Sequence, residues 1–281
     1  MTNSNLLSPA GMFAGRTSQL HNQSRAKKYS LFASSIQPRE SDVVLDLGAG
    51  IGDFLEEVYP YKSRIIAVDI SWERLARLKQ RHPEITPICA SALKLPFSTK
   101  SADIVFSNAV VEHVGDWSNQ MQFANEISRV GKSFFVTTPN YWFPVEQHYR
   151  LPLFQYFPRS VQRKVHNHFA IGFIKKGQYE DIYLLSRRQM QKLFPTATVH
   201  AQRTTFWPES IIAVRSEPRS SETTALPSPI CPTCEGELLS KDRALECSPC
   251  GLEFSVREGI PILNLESATR LEACQAVAAG D

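Results

Sequence analysis

The chain has 281 residues, 42% of them hydrophobic and 21% charged. That ordinary globular composition excludes wholesale disorder, a collagen-like repeat and a disulfide-dense mini-protein. The formal net charge is only +3, too near neutral for a general nucleic-acid coat, and no apolar run approaches the roughly 20 residues of a membrane-spanning helix. The charge is unevenly placed: +4 over residues 1–40, −3 over 41–146, +8 over 147–215 and −6 over 216–281.

Residues 1–24 are polar and patternless and predict a mobile segment. The first 20 lack a charged start and a continuous apolar stretch, so no export signal is expected and the expected compartment is cytoplasmic. Residues 25–37 predict an amphipathic helix, so that 1–40 reads as an N-terminal segment and helix. Short apolar runs then follow at Val43–Leu47, Ile65–Ile70, Ile85–Ala90, Ile104–Asn108 and Phe134–Thr138. They are continuous and rich in Val, Ile and Phe, as strands buried on both faces should be. Between them lie helical patterns at Asp53–Tyr59, Trp72–Arg81 and Trp117–Val130, with Ser71 placed to cap the second. The alternation predicts a parallel sheet with helices on both faces.

After Pro139 the pattern breaks. Residues 140–180 are rich in aromatic, Pro and basic residues and read as an inserted lid. Ser186-Arg-Arg-Gln189 fits a capping box that opens a helix to about Phe194. Ala197–Thr205 and Ile211–Ser216 read as two strands joined by a turn around Pro208. Residues 217–229 are a Pro/Ser/Thr linker, 230–265 a compact module, and 266–281 a tail that is a frayed helix or disordered. The large domain therefore spans 41–216.

The strongest enzymatic signal is Val44-Leu-Asp-Leu-Gly-Ala-Gly-Ile-Gly52, an apolar strand that runs into three alternate glycines. Glycines at a strand-to-helix turn let the backbone approach a ligand closely. A dinucleotide site calls for G-x-G-x-x-G, with the pyrophosphate on the helix N-terminus. Here the sixth position is Asp53, which would repel a pyrophosphate, so the loop suits a cofactor without phosphates. Asp69 ends the second strand, where a carboxylate can accept hydrogen bonds from both hydroxyls of a ribose.

These residues resemble the class I S-adenosylmethionine-dependent methyltransferases over about residues 40–216. VLDLGAGIGDF resembles the first motif of that class and VDIS the second. Ala90-Ser-Ala-Leu-Lys-Leu-Pro-Phe97 and the stretch from Ala102 to Glu112-His113 resemble the third and fourth, in the manner of the small-molecule branch that includes quinone-biosynthesis enzymes. The resemblance implies a Rossmann-like, seven-stranded α/β sheet of five parallel strands and a terminal antiparallel pair, with S-adenosyl-L-methionine as cofactor. It implies that Asp46 and Gly48, Ala49, Gly50 and Gly52 line the methionine portion, that Asp69 holds the ribose and that Ile70 packs on adenine. Ala92 would offer its backbone to adenine, and Asn108 would lie beside the sulfonium. Where the class often has Gly-Asp, this chain has Ala90-Ser91; Ser91 would accept the adenine amino group more weakly than Asp.

Thr137-Thr-Pro-Asn140 is not the Asn/Asp-Pro-Pro-Tyr motif of amino-directed methyltransferases. The following segment, from Tyr141 to Arg150, begins beyond the carboxyl end of a strand, where ligands of open α/β sheets bind. His148 is the first candidate catalytic base, because an unperturbed imidazole titrates near neutrality, with Glu146 to orient it; His113 is the second. His166 and His168 diverge at this spacing and do not make a metal pair. The basic stretch suits an anionic small molecule, RNA phosphates or a solvated lid.

Cys231-Pro-Thr-Cys234 and Cys247-Ser-Pro-Cys250 are two CxxC pairs separated by twelve residues. In a chain without an export signal, this spacing predicts four thiolates around one tetrahedral zinc. About thirty residues cannot build a sufficient core, so a metal staple is expected. Residues 230–265 resemble the zinc ribbon of the activator subunit of RNA- and translation-factor methyltransferases. That resemblance implies a ribbon that docks on its own catalytic domain or on a partner. Three functions stay open: methylation of a small molecule, methylation of RNA or a translation factor, and a non-catalytic partner-binding role on a retained cofactor fold.

Overall fold

All residues of Val44–Leu47 (β1) and Ile65–Asp69 (β2) are buried, as the continuous apolar runs require. A computed structural model of the chain describes residues 9–53, 55, 59–149, 151–168, 180–204, 206–218 and 225–270. The other strands of the main sheet are Thr86–Cys89 (β3), Ala102–Asn108 (β4), Gly131–Pro139 (β5), Thr198–Arg203 (β6) and Pro208–Arg215 (β7). Their order is β3-β2-β1-β4-β5-β7-β6. β1 to β5 pair in parallel, and β7 runs antiparallel to both β5 and β6. This is the expected Rossmann-like α/β sheet. Because β1 lies between β2 and β4, the chain leaves their carboxyl ends in opposite directions and opens a crevice there.

Alternate strand residues feed two apolar layers. Val43, Leu45 and Leu47 pack with Phe123 and Ile127 of Trp117–Val130 (α3) and with Met190 and Leu193 of Arg187–Leu193 (α5). Val44, Ile65 and Ala67 pack on the other face with Leu75 and Leu78 of Trp72–Arg81 (α2) and with Phe32 and Ile36 of Pro9–Ile36 (α1). Local caps start the helices where the sequence places them. Ser71 accepts from the Arg74 N–H, Asp116 from the N–H groups of Ser118 and Asn119, and Ser186 with Gln189 forms a complete capping box.

Several boundaries differ from the sequence reading. Helix α1 begins at Pro9, so most of the segment read as patternless is helical; its turns are anchored by tertiary packing, Phe32 lying edge-on to Phe106 and Phe135 at 5.3 and 5.4 Å. Pro208 is the first residue of β7 rather than the middle of a turn, a position where its missing N–H costs no ladder bond. Thr269–Arg270 (β12), read as tail, pairs with Leu252 and Glu253. The lid segment holds Arg159–His168 (α4), which places His166 and His168 on one helix. The expected helix at Asp53–Tyr59, most of the linker, part of the lid, and the tail with Cys274 lie outside the described residues.

Beyond β7 a second, small antiparallel sheet is built from Leu239–Lys241 (β8), Ala244–Cys247 (β9), Leu252–Arg257 (β10) and Ile260–Pro261 (β11). It packs along the free edge of β3. The Leu263 N–H donates to the Cys89 carbonyl at 2.7 Å, the Ile230 N–H to the Pro96 carbonyl at 2.9 Å, and Lys79 Nζ to the Glu258 carbonyl at 2.9 Å. Ile260 and Ile262 are buried in the same layer as Cys89. Pro87 marks β3 as an edge strand in the main sheet, and this contact covers that edge.

Candidate active site and cysteine cluster

The turn after β1 is made by glycine conformations. Gly48 has φ +72°, and its N–H donates to the Val68 carbonyl at 2.7 Å. A Cβ there would stand 2.3 Å from Val110 Cγ2. Gly48→Ala should therefore destabilise the fold by about 2–4 kcal/mol, from left-handed strain plus overpacking. The urea midpoint measures this, and an unchanged midpoint would contradict it. Gly50, at φ +60°, has open space where its Cβ would be. Its N–H donates to Asp69 Oδ2 at 2.9 Å, while Asp69 Oδ1 accepts from the Ser71 N–H at 2.9 Å. Two backbone donors thus hold the carboxylate at the end of β2 against the glycine loop, with only 6% of the residue exposed.

Two cavities open at the crevice. One, of about 330 Å³, is lined by Asp46, Gly48, Ala49, Gly50, Phe106 and Asn108, among others. The second, of about 710 Å³, is lined by Gly48, Asp69, Ile70, Ser91, Ala92 and His113, among others. Every residue expected to bind the cofactor lines one of them except Gly52, which closes the turn through its N–H to the Ala49 carbonyl at 3.0 Å. Ile70 is 69% exposed on the wall of the larger cavity, beside Asp69, where it offers an apolar surface to a bound group. The set fits S-adenosylmethionine: a held carboxylate for a diol, an apolar shelf for a base, and an open glycine turn. Ser91 Oγ already accepts from the Leu93 N–H at 3.2 Å, so its part in a base contact is shared with its own turn. Asp53 is paired with Arg81 at 2.6 Å and lies on the wall of the smaller cavity, which keeps a carboxylate where a pyrophosphate would sit.

His148 and His113, with Glu146, come together beside the larger cavity. His148 Nδ1 is 2.8 Å from Glu146 Oε1, and the two imidazoles meet edge to face at 4.9 Å. Glu112 is wholly buried beneath them. Burial pulls the His148 pKa down, but the Glu146 hydrogen bond and the charges of Glu112, Glu146 and Glu180 outweigh it and hold the pKa above its ordinary value. That upward shift is set by neighbours from separate segments and is invisible in the sequence. Lys28 and Arg74 were also missed. Lys28 Nζ reaches from α1 to within 3.5 Å of Asn108 Oδ1, which also accepts from Thr137 Oγ1 at 2.8 Å. Burial lowers the Lys28 pKa against the opposing pull of Glu112 and Glu209. Arg74 lines both cavities. A basic residue on an amphipathic helix carries no local signal of such a role.

The four cysteines of the small sheet converge. One sulfur from each of Cys231, Cys234, Cys247 and Cys250 lies within 4.8 Å of all the others. The Cys234–Cys247 and Cys231–Cys250 sulfurs are 3.4 and 4.0 Å apart. Tetrahedral Zn–S bonds of about 2.3 Å put sulfurs about 3.8 Å apart, so the donor set fits zinc. The Thr233 N–H donates to Cys231 Sγ at 3.4 Å, and each pair is followed by a residue in the left-handed conformation, Glu235 and Gly251. None of the helices among the described residues is long and apolar enough to cross a membrane.

Residues 45–134 match the family model described as Methyltransferase domain. Over 102 residues the chain is 36% identical to the malonyl-[acyl-carrier protein] O-methyltransferase of Legionella pneumophila, covering 34% of this chain and 33% of that protein. Over 96 residues it is 29% identical to the biotin biosynthesis bifunctional protein BioHC of Cellvibrio japonicus, covering 34% and 19%. The chain thus spans a third or less of the length of these curated relatives. A solved Haloferax volcanii structure that includes the Trm112 methyltransferase activator is similar at TM-score 0.47 and 17% identity, covering 73% of this chain and 95% of that one. Residues 45–134, which carry the glycine turn and Asp69, thus match a methyltransferase domain, and the sheet order is the Rossmann-like one expected for it.

Proposed function

We propose that this chain binds S-adenosylmethionine in the two joined cavities and transfers its methyl group to a small-molecule acceptor. The observation that carries the reading is the Asp69 carboxylate, oriented by the Gly50 and Ser71 N–H groups beside the exposed Ile70. Asp69 accepts from the ribose hydroxyls, Ile70 packs on the adenine, and Ser91 with the Ala92 backbone meets its edge. Asp46 and the turn from Gly48 to Gly52 hold the methionine portion, with Asn108 beside the sulfonium. The bound cofactor supplies an electrophilic methyl group on sulfur. Acceleration then rests largely on orientation, and the acceptor's proton must leave as its new bond to carbon forms. His148, held by Glu146, and His113 are the groups beside the larger cavity that handle that proton.

A small acceptor is favoured by a third cavity of about 460 Å³, lined by Trp117, Tyr141, Tyr156, Phe157 and Tyr183. Those aromatic side chains alternate with Gln120, Glu146, Gln155, Arg159, Gln162 and Gln189, a lining that suits a compact polar organic acceptor. The named activity of the Legionella relative on an acyl-carrier substrate is consistent with a small or carrier-bound acceptor. RNA or a translation factor is the second reading, favoured by the ribbon-like module on β3, which resembles the activator subunit and would support the catalytic sheet in cis. In that reading the units divide as 41–216 and 230–265.

Tritiated S-adenosylmethionine added with the protein to fractionated cell extract separates these. Label in low-molecular-mass metabolites is the expected result. Label in RNA or protein would replace the first reading by the second, and no label in any fraction would favour a partner-binding role.

A further inference from the structure

The buried carboxylate of Glu112 poses an unsolved hydrogen-bonding problem. The residue is 0% exposed, and while its Oε2 accepts from Thr138 Oγ1 at 3.0 Å, its Oε1 has no hydrogen-bond partner among the described residues. A buried carboxylate oxygen without a hydrogen bond is expensive, and such an atom calls for an ion or a water. Oε1 faces His148 Nε2 at 4.0 Å, too far for a hydrogen bond. His113 lies against His148, and one ligand atom from each of Glu112, His113 and His148 falls within 4.8 Å of the other two.

We propose that Glu112, His113 and His148 bind a divalent first-row metal ion, with Glu146 as the carboxylate that orients His148 from outside the coordination shell. Glu146 engages Nδ1 of His148 at 2.8 Å, which leaves Nε2 as the ligand atom. A carboxylate behind a histidine is the usual way a metal-binding imidazole is held and made more basic. Bonds of about 2.0–2.2 Å place ligand atoms about 3 Å apart, so closing the 4.0 Å gap takes about 1 Å of side-chain movement. The charges around the cluster favour a cation. Glu112, Glu146 and Glu180 all act on His148, and Glu180 Oε2 is 3.8 Å from His113 Nδ1. Two imidazoles and one carboxylate leave open coordination positions and suit iron, cobalt, zinc or manganese rather than calcium.

His113 also lines the 710 Å³ cavity with Asp69 and Ile70, so the ion would stand at the wall of the space assigned to the cofactor. There it would take an oxygen donor, such as a hydroxyl or carboxylate of the acceptor, and would lower the pKa of a bound hydroxyl. This acceptor role rests on the methyltransferase reading; the metal site itself does not. With the ion bound, His148 Nε2 would be a ligand, and the acceptor's proton would leave through the lowered pKa of the metal-bound hydroxyl in place of the direct transfer to His148.

Cobalt(II) tests the site in the intact protein reconstituted with a single equivalent of zinc per chain, which the four thiolates take ahead of two imidazoles and a carboxylate, leaving the second site free for cobalt. The expected result is one further cobalt per chain, with weak ligand-field bands and no thiolate-to-cobalt charge-transfer bands. His148→Ala and Glu112→Gln should abolish it, and Glu146→Gln should weaken it about 10–100-fold. Should those variants fail to fold by circular dichroism, His113→Ala, at a more exposed position, must reduce binding in folded protein. No cobalt beyond the zinc already bound, charge-transfer bands alone, or undiminished binding in the His113→Ala variant would overturn the site. S-adenosylhomocysteine affinity, measured on the same samples, reports separately on the cofactor reading and should be unchanged by His148→Ala.

Discussion

Replacing Asp69 by Asn should weaken S-adenosylhomocysteine binding about 10–100-fold, and replacing it by Ala should weaken it further. The carboxylate has only 6% of its residue surface exposed, yet it stands on the cavity wall with lone pairs beyond those used by Gly50 and Ser71. A hydrogen bond to a charged group contributes about 1.5–3 kcal/mol, and each 1.4 kcal/mol is tenfold in affinity. Asn keeps one acceptor oxygen and loses the charge. Ala also strips the Gly50 and Ser71 N–H groups of their acceptor, so the glycine turn loosens as well. Titration calorimetry reads the affinity, and circular dichroism checks that the sheet survives. Unchanged affinity in both folded variants would refute the proposed cofactor site.

The Cys231→Ser, Cys247→Ser double variant should lose about one zinc per chain and, with it, the cover over β3. Structural zinc contributes about 10–16 kcal/mol to the folding of small ribbon-like peptides, far more than a sheet of this size gains from its own core. Both cysteines are fully buried, so serine also leaves polar groups without thiolate partners. Once the small sheet unfolds, the Leu263–Cys89 hydrogen bond and the packing of Ile260 and Ile262 go too. The β3 edge is then free to pair with another chain. Metal analysis, amide hydrogen exchange across residues 260–263 and sedimentation should report zinc loss, faster exchange and larger species together. Full zinc content and a single unchanged species would contradict the assignment of the cysteines as ligands.

The elements that local chemistry specifies were legible. Helices α2 and α3 lie where their helical patterns put them, α2 with the expected Ser71 cap, and the five parallel strands fall on the five apolar runs. The turn at Gly48 and Gly50 was legible because a tight strand-to-helix turn takes left-handed residues, and Asp69 because it ends the neighbouring strand. The cysteine pairs were legible because a two-residue spacer within each pair forces its two sulfurs to one side. Helix α1 was only half legible. Its polar N-terminal part shows no strong apolar stripe, and its hold on the protein comes from Phe32 against Phe106 and Phe135, residues far along the chain.

From the sequence by itself came the α/β class, the glycine turn and the paired cysteines, because each depends on residues within one or two turns of one another. The tertiary structure alone decided that the small sheet covers β3, that Lys28 reaches Asn108, and that Glu112 meets His148 beneath a shared cavity wall. Burial of apolar surface is non-directional, so it selects a pairing of faces without leaving a local pattern that names the partner. The His148 pKa and the orphaned Glu112 oxygen follow from that pairing, since both are properties of neighbours brought in from separate loops and strands.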